Sequence, residues 1–210
     1  QKISCAVAIT VLAIFYFLNL ASQEWFITRN MWSASIFNTS RTMDEYEPLA
    51  LVIISHTAGP ECNQFETCAA ILNNLQTWYF RNNNEDLPYS FLIGNEGRVY
   101  EGRGWNVVGA DTGGFDHCSI DIAFTGDYRE GLPSYSQVTE LQLERAKMLL
   151  AQGMELGHLH PQYQMVGARD LKPTRSPGDN IYNIIRQWER YSHENVFRGR
   201  TCQEIKRETK

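Results

Sequence analysis

The chain has 210 residues, of which 43% are hydrophobic and 12% aromatic. This composition supports a packed core and is not that of a disordered chain, and the length suits one domain with an anchor or tail. The formal net charge is −5. With no cluster of basic residues, this charge argues against a nucleic-acid partner.

The N-terminal residues form an apolar run from Ile3 to Leu18 that is interrupted only by Ser4 and Thr10. A membrane-spanning helix needs about 20 mostly apolar residues, so we predict that residues 1–21 are a transmembrane anchor. A cleaved signal peptide is the alternative, since its apolar stretch is about 7–15 residues long. Lys2 precedes the run and favours a single-pass protein of the cell membrane with an extracellular C-terminal domain.

The next segment, residues 22–49, is rich in Ser, Thr and Asn and is predicted to be an irregular approach segment. A buried strand is predicted at 51–54, where the residues are Leu-Val-Ile-Ile. Apolar residues spaced by three and four from Cys68 to Tyr79 predict an amphipathic helix. Strands at 89–93 and 98–101, joined by the turn sequence Gly-Asn-Glu-Gly, predict a hairpin.

Further along, a strand is predicted at 120–125 and a helix at 137–156, with Ser136 as its cap. The core-facing stripe of this helix is predicted to be Leu141, Met148, Leu149 and Leu156. A short strand at 164–167 and a helix that begins near Asp179 complete the pattern. Strands that alternate with helices indicate an α/β fold, a central mixed β-sheet with helices packed on it.

This pattern places one domain at residues 50–192 and a polar, loosely held C-terminal tail at 193–210.

Five cysteines are present, and an extracellular location would oxidise the neighbouring pair Cys62 and Cys68 to a disulfide. A zinc knuckle is the other interpretation of such a pair, but no second pair of ligands accompanies it. The sequence does not decide whether Cys118 and Cys202 are bonded. An N-glycosylation acceptor occurs at Asn38, in Asn-Thr-Ser.

Several stretches together resemble the peptidoglycan recognition protein family, whose fold is that of the zinc N-acetylmuramoyl-L-alanine amidases. The most specific stretch is Tyr-Glu-Gly-Arg-Gly-Trp at 100–105. The others gain weight from their order and spacing; they are Thr-Arg-Asn-Met-Trp-Ser-Ala at 28–34, Val-Ile-Ile-Ser-His-Thr-Ala at 52–58, Cys62 with Cys68, Pro-Tyr-Ser-Phe-Leu-Ile-Gly at 88–94 and Ser-Pro-Gly-Asp at 176–179. The resemblance implies an amidase-like fold over residues from about 28 to about 191.

The resemblance also implies where a catalytic zinc would be held, and this sequence departs from the family there. The amidases use two His residues and a Cys, which suit a tetrahedral Zn²⁺ with one open position for water. The matching positions here are Ser55, Ala168 and Ser176, while an assisting Tyr is kept as Tyr89. We therefore expect no metal cofactor and no amidase activity.

A Ser-His-Asp hydrolase built from Ser55, His56 and Asp170 is disfavoured, because adjacent residues of a strand point to opposite faces.

Even without a metal site, the family resemblance implies a ligand-binding groove. We predict that His56, Tyr89, Glu101, Gly104 and Trp105 line it. The Gly-Trp pair resembles that of family members that prefer diaminopimelic-acid-type stem peptides, although plain core packing is the alternative for the Trp ring. The family also supplies an Arg for the extra carboxylate, which has no evident counterpart in this sequence.

Two acids at unusual positions bear on this groove. Asp111 and Asp121 stand where the family usually has His and Gly. They would either repel an anionic stem peptide or simply face water.

These features predict a non-catalytic innate immune receptor that senses peptidoglycan fragments, directly or by pairing with a ligand-loaded relative. Such a receptor would pair with a related ectodomain as a homodimer or a heterodimer, in the manner of the membrane-anchored LC-type receptors of insects. A decoy that competes for the same partners is the first alternative. An active zinc amidase is the second.

Overall fold

The structure is a computed structural model that describes residues 25–37, 41–43, 47–194 and 196–208. The predicted anchor at 1–21 and the glycosylation acceptor Asn38 lie outside the described residues. In the part of the chain that the structure describes, no helix combines the length and the apolar content needed to cross a bilayer.

The described chain contains six strands and five helices. In chain order they are β1 (Phe26–Ile27), β2 (Leu49–His56), α1 (Phe65–Asn83), β3 (Phe91–Ile93), β4 (Val99–Glu101), β5 (Ser119–Phe124), α2 (Glu140–Glu155), β6 (Leu159–Gly167), α3 (Ala168–Leu171), α4 (Asp179–Ile185) and α5 (Cys202–Glu208). The predicted α/β class is confirmed.

The six strands form one mixed sheet in the order β1-β4-β3-β5-β2-β6. β3 and β4 are antiparallel, as the predicted hairpin requires, and the other neighbouring strands are parallel. The long strands β2 and β5 lie side by side in the middle, with Ile53 opposite Asp121 and Ser55 opposite Ala123. Side chains at these four positions therefore lie on the same face of the sheet.

The two faces of the sheet carry separate cores. Val52 and Ile54 of β2 pack with Leu149 and Leu150 of α2 and Ile181 of α4. On the opposite face, α1 packs on the sheet next to β3 and β4, through Leu72, Leu92 and Tyr100. The β2 strand is buried on both faces, which explains its unbroken apolar run.

Helix α2 differs from the prediction at its start and in its buried face. Thr139, not Ser136, is the N-cap, and it forms a capping box with Gln142. Leu141 and Leu156 are 39% and 57% exposed. Of the predicted stripe, Leu149 is buried as expected, and the other buried residues of the helix are Gln142, Ala146, Leu150 and Gly153. Their spacing of three and four follows the helical period, whereas the predicted stripe relied on a seven-residue repeat.

Both ends of the predicted domain contribute more structure than expected. In the approach segment, β1 pairs with β4 and Trp32 is buried, so residues before position 50 belong to the folded unit. The prediction of a loosely held C-terminal tail is wrong. Helix α5 buries Ile205, and Cys202 of α5 forms a disulfide with Cys118.

Candidate functional site

The three positions that match the amidase ligands meet at the carboxyl ends of β2 and β6. Ile54 lies opposite Gly167 in the sheet, so the residues that follow them, Ser55 and Ala168, are neighbours. Ser176 joins them because its Oγ accepts a 3.1 Å hydrogen bond from the backbone N–H of His56. We call Ser55, Ala168 and Ser176 the Ser55 site.

The donor set of the Ser55 site does not fit zinc. The Ser55 hydroxyl is buried and donates a 2.9 Å hydrogen bond to Asp121 Oδ2. Ala168 offers only a methyl group and is fully buried. Ser176 Oγ is engaged by the backbone, as described above. Zinc in proteins is held by thiolate, imidazole and carboxylate ligands, and none of the three positions supplies one.

A lysine and two acids surround the Ser55 site. Lys172, one residue after α3, donates to Asp111 Oδ2 over 2.7 Å and also to the backbone carbonyl of Asp111. Asp121 is only 5% exposed. Burial raises the pKa of the Asp121 carboxyl well above its ordinary value, and the nearby Asp111 raises it further. This shift favours the neutral acid at Asp121, which leaves Asp111 and Lys172 as a charge pair.

Both expectations for the two acids are therefore corrected. Asp121 does not face water, and Asp111 does not present an uncompensated negative charge, because Lys172 neutralises it. This arrangement was not found from the sequence. The signal available was a Lys four residues after Ala168, but nothing local relates it to Asp111, which lies 61 residues earlier.

Tyr89 lies on the same side of the sheet as the Ser55 site. Its ring packs in the α1-side core, and its hydroxyl is 3.5 Å from that of Tyr79 on α1. Burial raises the pKa of Tyr89 well above its ordinary value, and Tyr79 and Asp111 act in the same direction. Tyr89 is therefore a neutral phenol close to the two acids.

His56 and Trp105 lie on the opposite face of the sheet. The Nδ1 atom of His56 accepts a 3.1 Å hydrogen bond from the Tyr128 backbone N–H, and burial lowers the pKa of His56 from 6.5 to about 4. Trp105 packs on Phe91 and stacks on His158, with ring centroids 4.6 and 4.9 Å apart. The structure thus favours core packing for the Trp105 ring.

Glu101 and Gly104 lie together at the β4 end of the sheet. Glu101 Oε2 accepts a hydrogen bond from the Arg29 backbone N–H at 3.1 Å. Gly104 has a positive φ of 73°, and a Cβ there would stand 3.0 Å from Glu101 Oε1. The conformation and the close carboxylate explain why glycine suits this position. The five predicted groove residues do not form one cluster, and their part in ligand binding stays a prediction.

A polar cavity of about 330 Å³ lies beside Asp111 and is lined in part by Ala110, the preceding residue. Arg41, Arg103 and His117 bring basic side chains to it, while Glu85 and Asp116 bring acidic ones. Arg103 is buried and donates to the Leu87 and Val108 carbonyl oxygens, so it is part of the wall. The sequence showed no counterpart of the family's Arg, and it could not show this grouping, because Arg41 and Arg103 come from segments distant from Asp116 and His117.

Two disulfides are present in the described chain. Cys62 is bonded to Cys68, which confirms the predicted pair at the start of α1. Cys118 is bonded to Cys202, which decides a question that the sequence left open. The second bond connects α5 to the end of the loop that carries Asp111, and thus braces one border of the Ser55 site.

The fold, the two-faced sheet and the three converging positions define an amidase-type domain. Residues 45–179 match the N-acetylmuramoyl-L-alanine amidase family. Peptidoglycan recognition protein 1 of Bos taurus is 40% identical over 167 residues, which are 79% of this chain and 84% of that protein. The peptidoglycan recognition protein of Trichoplusia ni is 38% identical over 180 residues, 84% of this chain and 94% of that protein.

Solved structures agree with these relatives. A crystal structure of tracheal cytotoxin bound to the ectodomain complex of peptidoglycan recognition proteins LCa and LCx aligns with a TM-score of 0.74 and 36% identity, over 80% of this chain and 98% of that one. Drosophila peptidoglycan recognition protein LB aligns with a TM-score of 0.75 and 29% identity, over 81% and 98%. The chain belongs to the peptidoglycan recognition protein family.

Proposed function

We propose that this protein is a non-catalytic innate immune receptor that senses peptidoglycan fragments of the diaminopimelic-acid type, directly or beside a ligand-loaded relative. The observation that carries the proposal is the Ser55 site. Its three residues offer two hydroxyls and a methyl group where an amidase needs two imidazoles and a thiolate. Without a metal-activated water, the site lacks the nucleophile for amide hydrolysis.

The polar cavity beside Asp111 supports ligand recognition. A diaminopimelic stem peptide carries an extra carboxylate, and Arg41 and His117 at the cavity are basic groups suited to bind it. Asp111 is paired with Lys172, so it does not oppose an anionic ligand. A receptor needs only to bind its ligand, because it signals that the ligand is bound and does not convert it to a product.

Pairing with a related domain is the second part of the proposal. It is supported by the similarity to a complex in which two peptidoglycan recognition ectodomains are assembled with tracheal cytotoxin bound. A ligand that bridges two domains raises their association when both are confined to one membrane. The predicted anchor at 1–21 would provide that confinement and put the domain outside the cell.

The test is a calorimetric titration of the purified domain with a monomeric diaminopimelic muropeptide, alone and with a ligand-competent relative. We expect saturable binding in at least one arm, and Arg41→Met weakens it while Arg81→Met, on an exposed part of α1, does not. Absence of binding in both arms would contradict the sensing role. Stoichiometric zinc in the unaltered protein, or release of stem peptide from peptidoglycan, would contradict the non-catalytic role.

A further inference from the structure

Another cavity, of about 380 Å³, lies on the α2 face of the sheet, opposite to the Ser55 site. It is bordered by α2, by β6 and by residues 187–190, which follow α4. We call it the Trp188 groove. Its volume falls within the range of about 300–1,000 Å³ that is usual for small-molecule sites. The proposed sensing of muropeptides makes no use of this groove.

Part of the lining of the Trp188 groove is apolar. Leu150 and Met165 belong to the buried core, and Met154 and Trp188 pack against that core while they remain partly exposed. Thioether side chains are flexible and adapt to the shape of an apolar partner. The groove therefore offers an apolar surface to the hydrocarbon part of a ligand.

Two cations accompany this apolar surface. Lys147 Nζ lies 5.1 Å from the centre of the Trp188 ring, and Arg190 Cζ lies 4.8 Å from the centre of the Tyr163 ring. Among the described residues, neither cation forms an ion pair with a carboxylate, although Glu189 also lines the groove. With two cations and one carboxylate, the lining carries a net positive charge.

These charges indicate the class of ligand. A ligand that is itself a cation would be repelled by Lys147 and Arg190, which already lie over the two aromatic rings. A neutral hydrocarbon would leave both cations without an ionic partner. A carboxylate forms charge-assisted hydrogen bonds with ammonium and guanidinium groups, while an attached apolar chain covers the apolar surface.

We propose that the Trp188 groove binds a monocarboxylate with an apolar chain, the chemistry of a medium-chain fatty acid. Lys147 and Arg190 hold the carboxylate, and the chain lies against Met154, Met165 and Trp188. Contact with the rings keeps both cations beside the groove before the ligand arrives, which lowers the cost of ordering them. This binding goes beyond the proposed function and takes place on the other face of the sheet.

The test is a titration of the full chain with decanoate, below the concentration at which it forms micelles, followed by calorimetry and by methionine methyl NMR. We expect saturable binding that shifts the signals of Met154 and Met165 and leaves that of Met31, an exposed residue beside the α1-side core. Decanol, which has the chain without the charge, should bind about ten-fold more weakly, because it forms neither ion pair. Equal affinities for decanoate and decanol, or no saturable shifts at Met154 and Met165, would overturn the proposal.

Charge variants test where the carboxylate is held. We expect K147Q and R190Q each to weaken decanoate binding about five-fold and to leave decanol binding unchanged. The matched control is R186Q, which removes a cation that lies 5.5 Å from the centre of the Tyr182 ring, outside the groove. An equal loss in R186Q would show that net charge, and not the groove, attracts the ligand, and would overturn the proposal.

A blocking variant tests the groove without altering a charge. Ala151 is an exposed residue of α2 that lines the groove, so Ala151→Trp places a ring in it and replaces no buried side chain. We expect this variant to lose decanoate binding at Met154 and Met165, and undiminished binding would overturn the proposal. Muropeptide binding is measured separately, so either proposal can fail while the other stands.

Discussion

The Ser55 hydroxyl donates to Asp121 Oδ2 over 2.9 Å, between two neighbouring parallel strands. Both residues are buried, and both depart from the family pattern. Each therefore explains the other. A buried carboxyl needs a donor, and a buried hydroxyl that no longer faces a metal needs an acceptor.

This pairing predicts that Ser55→Ala destabilises the protein although it removes a single oxygen atom. The change leaves Asp121 Oδ2 without its donor in a buried position, which costs about 1–3 kcal/mol of unfolding free energy. Urea unfolding measures the loss. The control is Thr77→Ala, which removes an exposed hydroxyl that bonds only to the Asn73 carbonyl oxygen in α1. Equal stability of the two variants would contradict the prediction.

His56 predicts an acid-sensitive stability. Burial lowers its pKa from 6.5 to about 4 in the folded protein. The unfolded chain therefore takes up a proton between these values that the folded chain refuses, so stability falls as the pH drops from about 6.5 towards 4. Between pH 7 and pH 5 this amounts to about 2 kcal/mol.

The measurement is denaturant unfolding of the unaltered chain and of His56→Gln at both pH values. The introduced amide can still accept from the Tyr128 N–H but does not titrate, so the loss of this variant between pH 7 and pH 5 is expected to be smaller. The raised pKa of Asp121 acts in the opposite direction, but it is present in both proteins. Thr77→Ala, which removes an exposed hydroxyl and no titratable group, serves as control and should leave the pH dependence unchanged.

Gly153 predicts a destabilising glycine-to-alanine change within a helix. Alanine normally stabilises a helix interior by roughly 1 kcal/mol over glycine. Here a Cβ would stand 2.6 Å from Trp105 Cη2 and 3.1 Å from the Leu159 side chain. We expect Gly153→Ala to lose about 1–3 kcal/mol, since overpacking outweighs the gain in propensity.

The Trp105→Phe background tests the cause, because phenylalanine lacks the atom that the new methyl group would meet. In that background, Gly153→Ala should cost clearly less in thermal unfolding. An equal cost in both backgrounds would show that Trp105 is not the obstacle.

The Cys118–Cys202 disulfide predicts a large contribution from the C-terminal helix. The bond joins residues 84 positions apart, and cross-links that close long loops restrict the unfolded chain most. C118A/C202A should lose about 2–4 kcal/mol in guanidinium unfolding. Amide exchange should rise in α5 and stay slow in β2. Unchanged protection in α5 would show that packing of Ile205 alone holds the helix.

The sequence by itself determined the elements whose signals are local. The unbroken apolar run at 51–54 marked a strand buried on both faces, and the glycine turn between β3 and β4 marked a hairpin. The sequence also showed that the three residues of the Ser55 site replace the zinc ligands of the amidases, because the residue at a motif position can be read without a structure. The sequence pattern misled in α2, where a seven-residue repeat and the helical period select different residues as buried. The buried face of α2 follows the helical period.

Only the tertiary structure decided which of these residues share a face and which charges are compensated. Trp105 and Tyr89 lie 16 positions apart, yet the sheet separates them, whereas Lys172 and Asp111 meet across 61 positions. The disulfide between Cys118 and Cys202 and the burial of Asp121 likewise depend on contacts between segments that are far apart in the sequence. Such contacts arise from the packing of distant segments around a common core, and a residue's neighbours along the chain carry no record of them.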